Sequence, residues 1–271
     1  VKQYNMATAA PPKKSNELPA ASADLKAQLG IKSPQEIVPY INLLCYGEPG
    51  VGKTLLASTA EDHQDTGPVL HLDIEGGLVT VRKRKNYQAV RVRSIAEIIK
   101  IHDSIEELSA KGECPWRTVV LDNISELQKL DMRTVMEEAK RTARDPDKVD
   151  LDVPSQREWG KSGERMRRII RAFRDLPVHT IAVAWMGSEH DDATGVVSYY
   201  PLLPGKLRGE VPGYFDIVGR LTAVTRNNGA EIVRTMQVTA TNRVVAKDRT
   251  NSLGGVVENP SIPLIWELIN S

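Results

Sequence analysis

Nine residues, Gly47, Glu48, Pro49, Gly50, Val51, Gly52, Lys53, Thr54 and Leu55, spell GEPGVGKTL. Glycines let successive backbone N–H groups curl around an anion, and the start of a following helix adds positive potential. In the pattern G-x-x-x-x-G-K-[ST], Gly47 and Gly52 shape the loop, Lys53 bridges the β- and γ-phosphates, and the Thr54 hydroxyl ligates Mg²⁺. The expected ligands are therefore ATP and Mg²⁺. No base-reading motif in the sequence separates ATP from GTP.

Phosphate chemistry also needs carboxylates. The stretch RTVVLDN ends an apolar run at Asp122, where an acid on a neighbouring strand holds Mg²⁺ through water. Many phosphate-loop ATPases place a Glu directly after that Asp, but here Asn123 follows, and an amide is no base. A second acidic stretch, LHLDIEGGL, puts Asp73 and Glu75 one residue apart at the end of another apolar run. Strand alternation would point both to one face, where like charges need a cation, a water or a substrate between them. A carboxylate at this sheet edge faces the γ-phosphate, so Glu75 is assigned as the base that orients water. Asp73 either supports the Mg²⁺ shell or caps the turn.

These groups need a scaffold. INLLCYG, PVLHLDI, RTVVLDN and HTIAVAWM read as buried strands. KTLLASTA, SIAEIIKIHDSIEELSAKG, ISELQKLDMRTVMEEAKRTA and GERMRRIIRAFRDL carry helical spacing, the last with Met166, Ile169, Ile170 and Phe173 on one face. Strands alternating with helices predict an α/β fold with a mainly parallel sheet covered on both faces. Beyond about residue 195, DIVGRLTAVTR, NNG and AEIVRTMQVTA form a hairpin signal, NRVVAKDR offers one more strand, and IPLIWELINS closes as a helix. Residues 1–36 read as a flexible arm, because Ala, Pro, Ser and Lys bury too little to fold alone. Within the arm, SADLKAQLGI gives a short helix with Leu25, Leu29 and Ile31 as anchors. Residues 37–271 read as one core. The chain opens on Val1, and Met6 offers a start, so residues 1–5 are left out of this reading.

Composition narrows the classes. Thirty-six basic against 35 acidic residues leave a net charge of +1, so bulk charge argues neither for nor against nucleic acid. No apolar run approaches the ~20 residues of a membrane span, and no signal peptide is visible. Cys45 and Cys114 lie in or beside apolar runs and read as buried free thiols, which fits the cytoplasm.

Taken in order, YGEPGVGKT, LDIEGGL, TVVLDNISEL, PLLPGKL followed by YFDIVG, and AKDR span residues 40 to about 250. This set resembles RecA-like recombinase ATPases, most of all the phage-encoded single-strand annealing ATPases of the Sak group. The resemblance implies a RecA-like P-loop core with C-terminal antiparallel strands, and ATP hydrolysis with the strand-end Glu activating water. It also implies ATP shared between subunits of a filament or ring, with Lys247 and Arg249 as the neighbour's paired cations on the γ-phosphate. The arm would dock on an adjacent subunit. Single-stranded DNA becomes the expected partner, a single-strand-binding protein a further candidate, and the bacterial host cytoplasm the setting.

Two segments fall where that group binds DNA. The first carries Lys140, Arg141, Arg144, Lys148, Arg157, Trp159 and Lys161; the second carries Tyr199, Tyr200, Lys206 and Arg208. Both are read as loops, with cations for phosphates and rings for bases. One departure stands out: where the group has a polar sensor, usually Gln, this chain has Trp185 and Met186, with Ser188 or His190 as substitutes. That departure, the balanced charge and the acidic first loop support an alternative, a nucleotide switch or motor acting on a protein partner without DNA.

Overall fold

The apolar run before the phosphate loop forms strand β1 (Asn42–Gly47), buried after its first residue. A computed structural model describes residues 25, 28–33, 40–227 and 231–271. Residues 40–271 make one compact unit, separate from the chain before it. After β1 come α1 (Lys53–Ser58), β2 (Val69–Asp73), β3 (Tyr87–Arg91), α2 (Ile95–Ala110), β4 (Thr118–Asp122) and α3 (Ile124–Thr142). Then follow α4 (Gln156–Asp175), β5 (His179–Asp191), β6 (Val196–Pro201) and α5 (Leu207–Tyr214). The chain finishes with β7 (Ile217–Arg226), β8 (Glu231–Gln237), β9 (Lys247–Asp248), β10 (Val256–Glu258) and α6 (Ile262–Asn270).

The sheet runs β10-β8-β7-β1-β5-β4-β2-β3. Its centre, β7-β1-β5-β4-β2-β3, is parallel, and β8 and β10 add antiparallel strands at one edge. Because β2 and β4 are buried at every position, both faces must be covered. On one face Leu44, Leu72 and Leu121 pack against Ile98 of α2, Leu127 of α3 and Phe173 of α4. On the other, Leu43, Cys45 and Val120 meet Leu56 of α1 and Ile265 of α6. Each such side chain contributes about 1.5–3 kcal/mol by leaving water. Local chemistry starts two helices where the pattern expects, with Ser94 capping α2 and Asn123 capping α3, but a capping box of Ser155 with Glu158 starts α4 ahead of the expected GERMRR stretch.

Several expectations change. Edge strand β3, half-exposed and polar, is absent from the sequence reading, as is the short β10. The strand expected in NRVVAKDR shrinks to the two residues of β9. Neither basic segment is simply a loop. Arg141 lies in the last turn of α3, Arg157, Trp159 and Lys161 lie in α4, and Arg144 remains in the loop between. The second segment is a ribbon of β5, extended to Asp191, against β6, followed by α5. Thus Tyr199 and Tyr200 are strand residues, Arg208 is helical, and Lys206 precedes the helix. The hairpin β7–β8 and the closing helix match the reading. Of the arm, Leu25, Gln28 and Leu29 are helical, and the remaining arm expectations lie largely outside the described residues. Among the described residues no helix is long and apolar enough to cross a membrane. Cys45 is a buried free thiol whose pKa burial pushes up to about 12, and Cys114 is half-buried and free.

Candidate nucleotide site and nucleic-acid surface

The phosphate loop joins the end of β1 to the start of α1, and two of its glycines are demanded by close neighbours. A Cβ on Gly47 would lie 2.5 Å from the Leu221 carbonyl oxygen. Gly52 has φ +107°, and a Cβ there would lie 2.5 Å from Arg234 Nε. Lys53 is 8% exposed, and its ammonium donates to the carbonyls of Gly47 (3.0 Å) and Glu48 (2.8 Å). Burial lowers its pKa. The Thr54 hydroxyl donates to Asp122 Oδ2 at 2.6 Å, joining the loop to β4 across the intervening strand β5. Desolvation raises the Asp122 pKa, opposed by that hydrogen bond and by Lys53. A hydroxyl and a carboxylate at this separation are hard oxygen donors of the kind Mg²⁺ takes, so the residues present fit the metal.

Asn123, the residue that replaces the expected base, holds Glu75 instead. Its Oδ1 accepts from the Glu126 N–H at 2.8 Å, capping α3, while its Nδ2 donates to Glu75 Oε2. Backbone bonds from Ile74 N (2.7 Å) and Glu75 N (3.3 Å) to the Asp122 carbonyl tie the turn after β2 to the end of β4. Glu75 therefore stands beside the Thr54–Asp122 pair. The common face expected for Asp73 and Glu75 is not observed, because β2 ends at Asp73 and Glu75 belongs to the turn. Asp73 is the turn's cap. Its Oδ1 accepts from Gly76 N (2.6 Å) and Gly77 N (3.2 Å), and its Oδ2 pairs with Arg91 (3.0 Å). Of the two roles open to Asp73, capping is the one made within the chain.

Two residues at the site were not anticipated. His71, 1% exposed, sets Nδ1 2.6 Å from the Tyr87 hydroxyl and Nε2 3.8 Å from Asp122 Oδ2. Arg234 of β8 donates from Nε to the Val51 carbonyl at 2.9 Å, and its own backbone is clamped by Asn259. It makes no ion pair among the described residues. Arg234→Ala should raise the ATP concentration for half-maximal hydrolysis about tenfold, the scale of a charge-assisted hydrogen bond. Steady-state kinetics with Arg234→Lys beside it would check this, since Lys lacks the guanidinium fork and should restore little.

Lys247 and Arg249 converge on the C-terminal end of α5. Lys247 Nζ donates to the carbonyls of Pro212 and Gly213, each at 3.2 Å. Arg249 pairs with Asp216 at 3.0 Å and donates to Gly213 O at 3.4 Å. Cations there oppose the negative helix end, so within one chain both are engaged locally.

Several rings and cations expected to meet DNA are engaged within the chain, Tyr199 by an arginine outside that set. The Arg220 guanidinium lies 3.7 Å from the Tyr199 ring centroid, and Arg208 lies 3.5 Å from that of Tyr200 while pairing with Glu189. Lys161 pairs with Glu138 at 2.5 Å. Trp159 and Lys206, from separate segments, line one cleft. Where a polar sensor was expected, the Trp185 N–H donates to Ser125 Oγ at 3.1 Å, and Ser125 donates to the Leu202 carbonyl at 2.8 Å. The first turn of α3 is thereby bonded to β5 and to the residue that follows β6.

A parallel core in which one strand separates the P-loop strand from the Asp122 strand, with a Glu presented from the next strand's turn, is a RecA-like P-loop fold. The chain belongs to the AAA_24 family of AAA domains, which it matches over residues 40–250. No curated protein matches it. Among solved structures it is similar to the RadB recombinase (14% identity, 82% of this chain and 89% of that chain, TM-score 0.40). It is also similar to a KaiC-like protein from the archaeon Pyrococcus horikoshii OT3 (14% identity, 80% and 89%, TM-score 0.36). A third is the flagellar accessory protein FlaH from Methanocaldococcus jannaschii (13% identity, 85% and 90%, TM-score 0.40).

Proposed function

We propose that the protein is an ATP-dependent single-stranded-DNA-binding protein of RecA type, acting in annealing or recombination as an oligomer. Lys53 and the loop amides hold the triphosphate, Thr54 and Asp122 hold Mg²⁺, and Glu75 orients the attacking water. Bound Mg²⁺ would neutralise charge on the phosphates. Lys247 and Arg249 would turn to a neighbour's γ-phosphate on assembly, exchanging the α5 carbonyls for a stronger anion. The observation that carries the hydrolytic part is the Asn123–Glu75 bond, which keeps a carboxylate beside the Thr54–Asp122 pair. For DNA, the support is the resemblance together with the meeting of Trp159 and Lys206 in one cleft.

A second reading, a switch that acts on a protein partner, draws on the ion pairs that neutralise Lys161 and Arg208. Hydrolysis measured with and without single-stranded DNA separates the two. The expected result is a rate that DNA raises severalfold, with Lys53→Ala at background in both cases. Binding to labelled single strands should weaken steeply with salt as phosphate counterions are released. A basal rate indifferent to DNA, with no salt-dependent binding, would favour the protein-directed switch.

A further inference from the structure

We propose that the cleft between α3, the start of α4 and the head of α5 takes a nucleobase of single-stranded DNA, stacked on Trp159 and met at its edge by Gln128. The inference rests on the DNA-binding reading above and deepens it. The cleft holds about 580 Å³, room enough for a nucleotide.

Gln128 is 6% exposed and lines the cleft, yet its Nε2 has no hydrogen-bond partner among the described residues. A buried amide left unpaired is costly. Nε2 is closed to solvent here, and a rotation of the amide into the cleft would give it the acceptors on a base edge. Beside it Trp159 leaves 43% of its surface exposed, an aromatic face of the kind bases stack on.

The cleft floor adds an independent argument. Gly160 and Gly163 lie inside the 20-residue helix α4 and line the same cleft. Glycine in a helix interior is unfavourable relative to Ala. Nothing among the described residues requires either one: a Cβ on Gly160 would meet none of them within 4 Å, and one on Gly163 only the tip of Arg167 at 3.6 Å. What the two glycines achieve is a flat floor beside the indole. At the rim Arg167 is neutralised by Glu210 (2.5 Å) and Glu164 (3.3 Å), while Lys206 is exposed and makes no ion pair among the described residues. Lys206 is thus the phosphate contact. The cleft also reaches the catalytic side, because Gln128 lies little more than one turn along α3 from Asn123, which holds Glu75.

The test compares a labelled oligothymidylate with an abasic oligonucleotide of the same length and backbone charge. Wild type should bind the base-bearing strand about tenfold more tightly, the scale of one stacked base. Gly160→Leu, which fills the cleft where a side chain has room, should keep its thermal stability and bind both strands at the abasic level. Trp159→Ala, which removes an exposed ring, should do the same. If wild type binds both strands equally, or the two variants keep the preference for bases, the cleft assignment falls while DNA binding stands. If neither strand binds at low salt, the DNA-binding reading falls as well.

Discussion

Replacing Glu75 by Gln is expected to lower ATP hydrolysis by about 10²–10⁴-fold, the usual contribution of a positioned general base. ATP binding should survive. The substitution keeps size and shape, and the amide oxygen of Gln can still accept from Asn123 Nδ2, so the turn after β2 should stay tied to α3. The groups that hold the nucleotide, the loop amides with Lys53 and Thr54, lie on another element. What is lost is a carboxylate able to accept a proton from the attacking water. Phosphate release gives kcat, and titration with a fluorescent ATP analogue gives affinity. A fallen kcat with unchanged affinity is the pattern of an interaction made in the transition state. Hydrolysis at the wild-type rate would remove Glu75 from the role, and the two neighbouring acids are already engaged: Asp73 with the turn amides through Oδ1 and with Arg91 through Oδ2, and Asp122 with the Thr54 hydroxyl.

The parts of this site that could be read from the sequence are those whose chemistry is local. A phosphate loop needs its glycines, lysine and hydroxyl at fixed spacing, and β1 and β4 announce themselves as unbroken apolar runs because both faces are buried. Asp122 follows from its place at the end of such a run. The relation between Asp73 and Glu75 could not be read in this way. Whether the strand continues past Asp73 is decided by the Asp122 carbonyl, which captures Ile74 N and Glu75 N and turns the chain.

Arg234 reaches its loop partner from 183 residues away, and the alternation that marks β8 says nothing about which side chain meets Val51. The basic segments misled for a related reason. Charge runs report solvent, whereas Arg157, Trp159 and Lys161 sit in a helix set by the Ser155–Glu158 capping box and by the buried face of Met166, Ile169, Ile170 and Phe173. The extension of β5 was hidden because Ser188, Glu189, His190 and Asp191 are polar and exposed, so burial gave the strand pattern nothing to mark.

Acid should destabilise the fold through His71. Burial pushes the pKa of this imidazole down to about 4, against about 6.5 in an unfolded chain. Burial holds the Tyr87 hydroxyl protonated far above its ordinary range, and that hydroxyl shares a 2.6 Å hydrogen bond with Nδ1 of the neutral imidazole. Between pH 6.5 and 4 the unfolded chain binds the extra proton and the folded one does not. The stabilisation is therefore complete above pH 6.5 and is lost as pH falls, by roughly 2 kcal/mol at pH 5 and roughly 3 kcal/mol at pH 4. Asp122 works in the opposite sense, because its raised pKa makes the folded state the better proton binder at the acid end, which softens the slope.

Urea unfolding at pH 7 and pH 5 measures the loss. The double variant His71→Leu, Tyr87→Phe removes both partners of the bond, which should leave stability at pH 7 close to wild type and flatten the acid limb. Equal losses in wild type and variant would place the titration elsewhere. Because Nε2 lies 3.8 Å from Asp122 Oδ2, the proton that charges His71 also sets a cation against the carboxylate assigned to Mg²⁺. Hydrolysis should therefore fall on the same acid limb as stability, and the affinity for Mg²⁺ should fall with it.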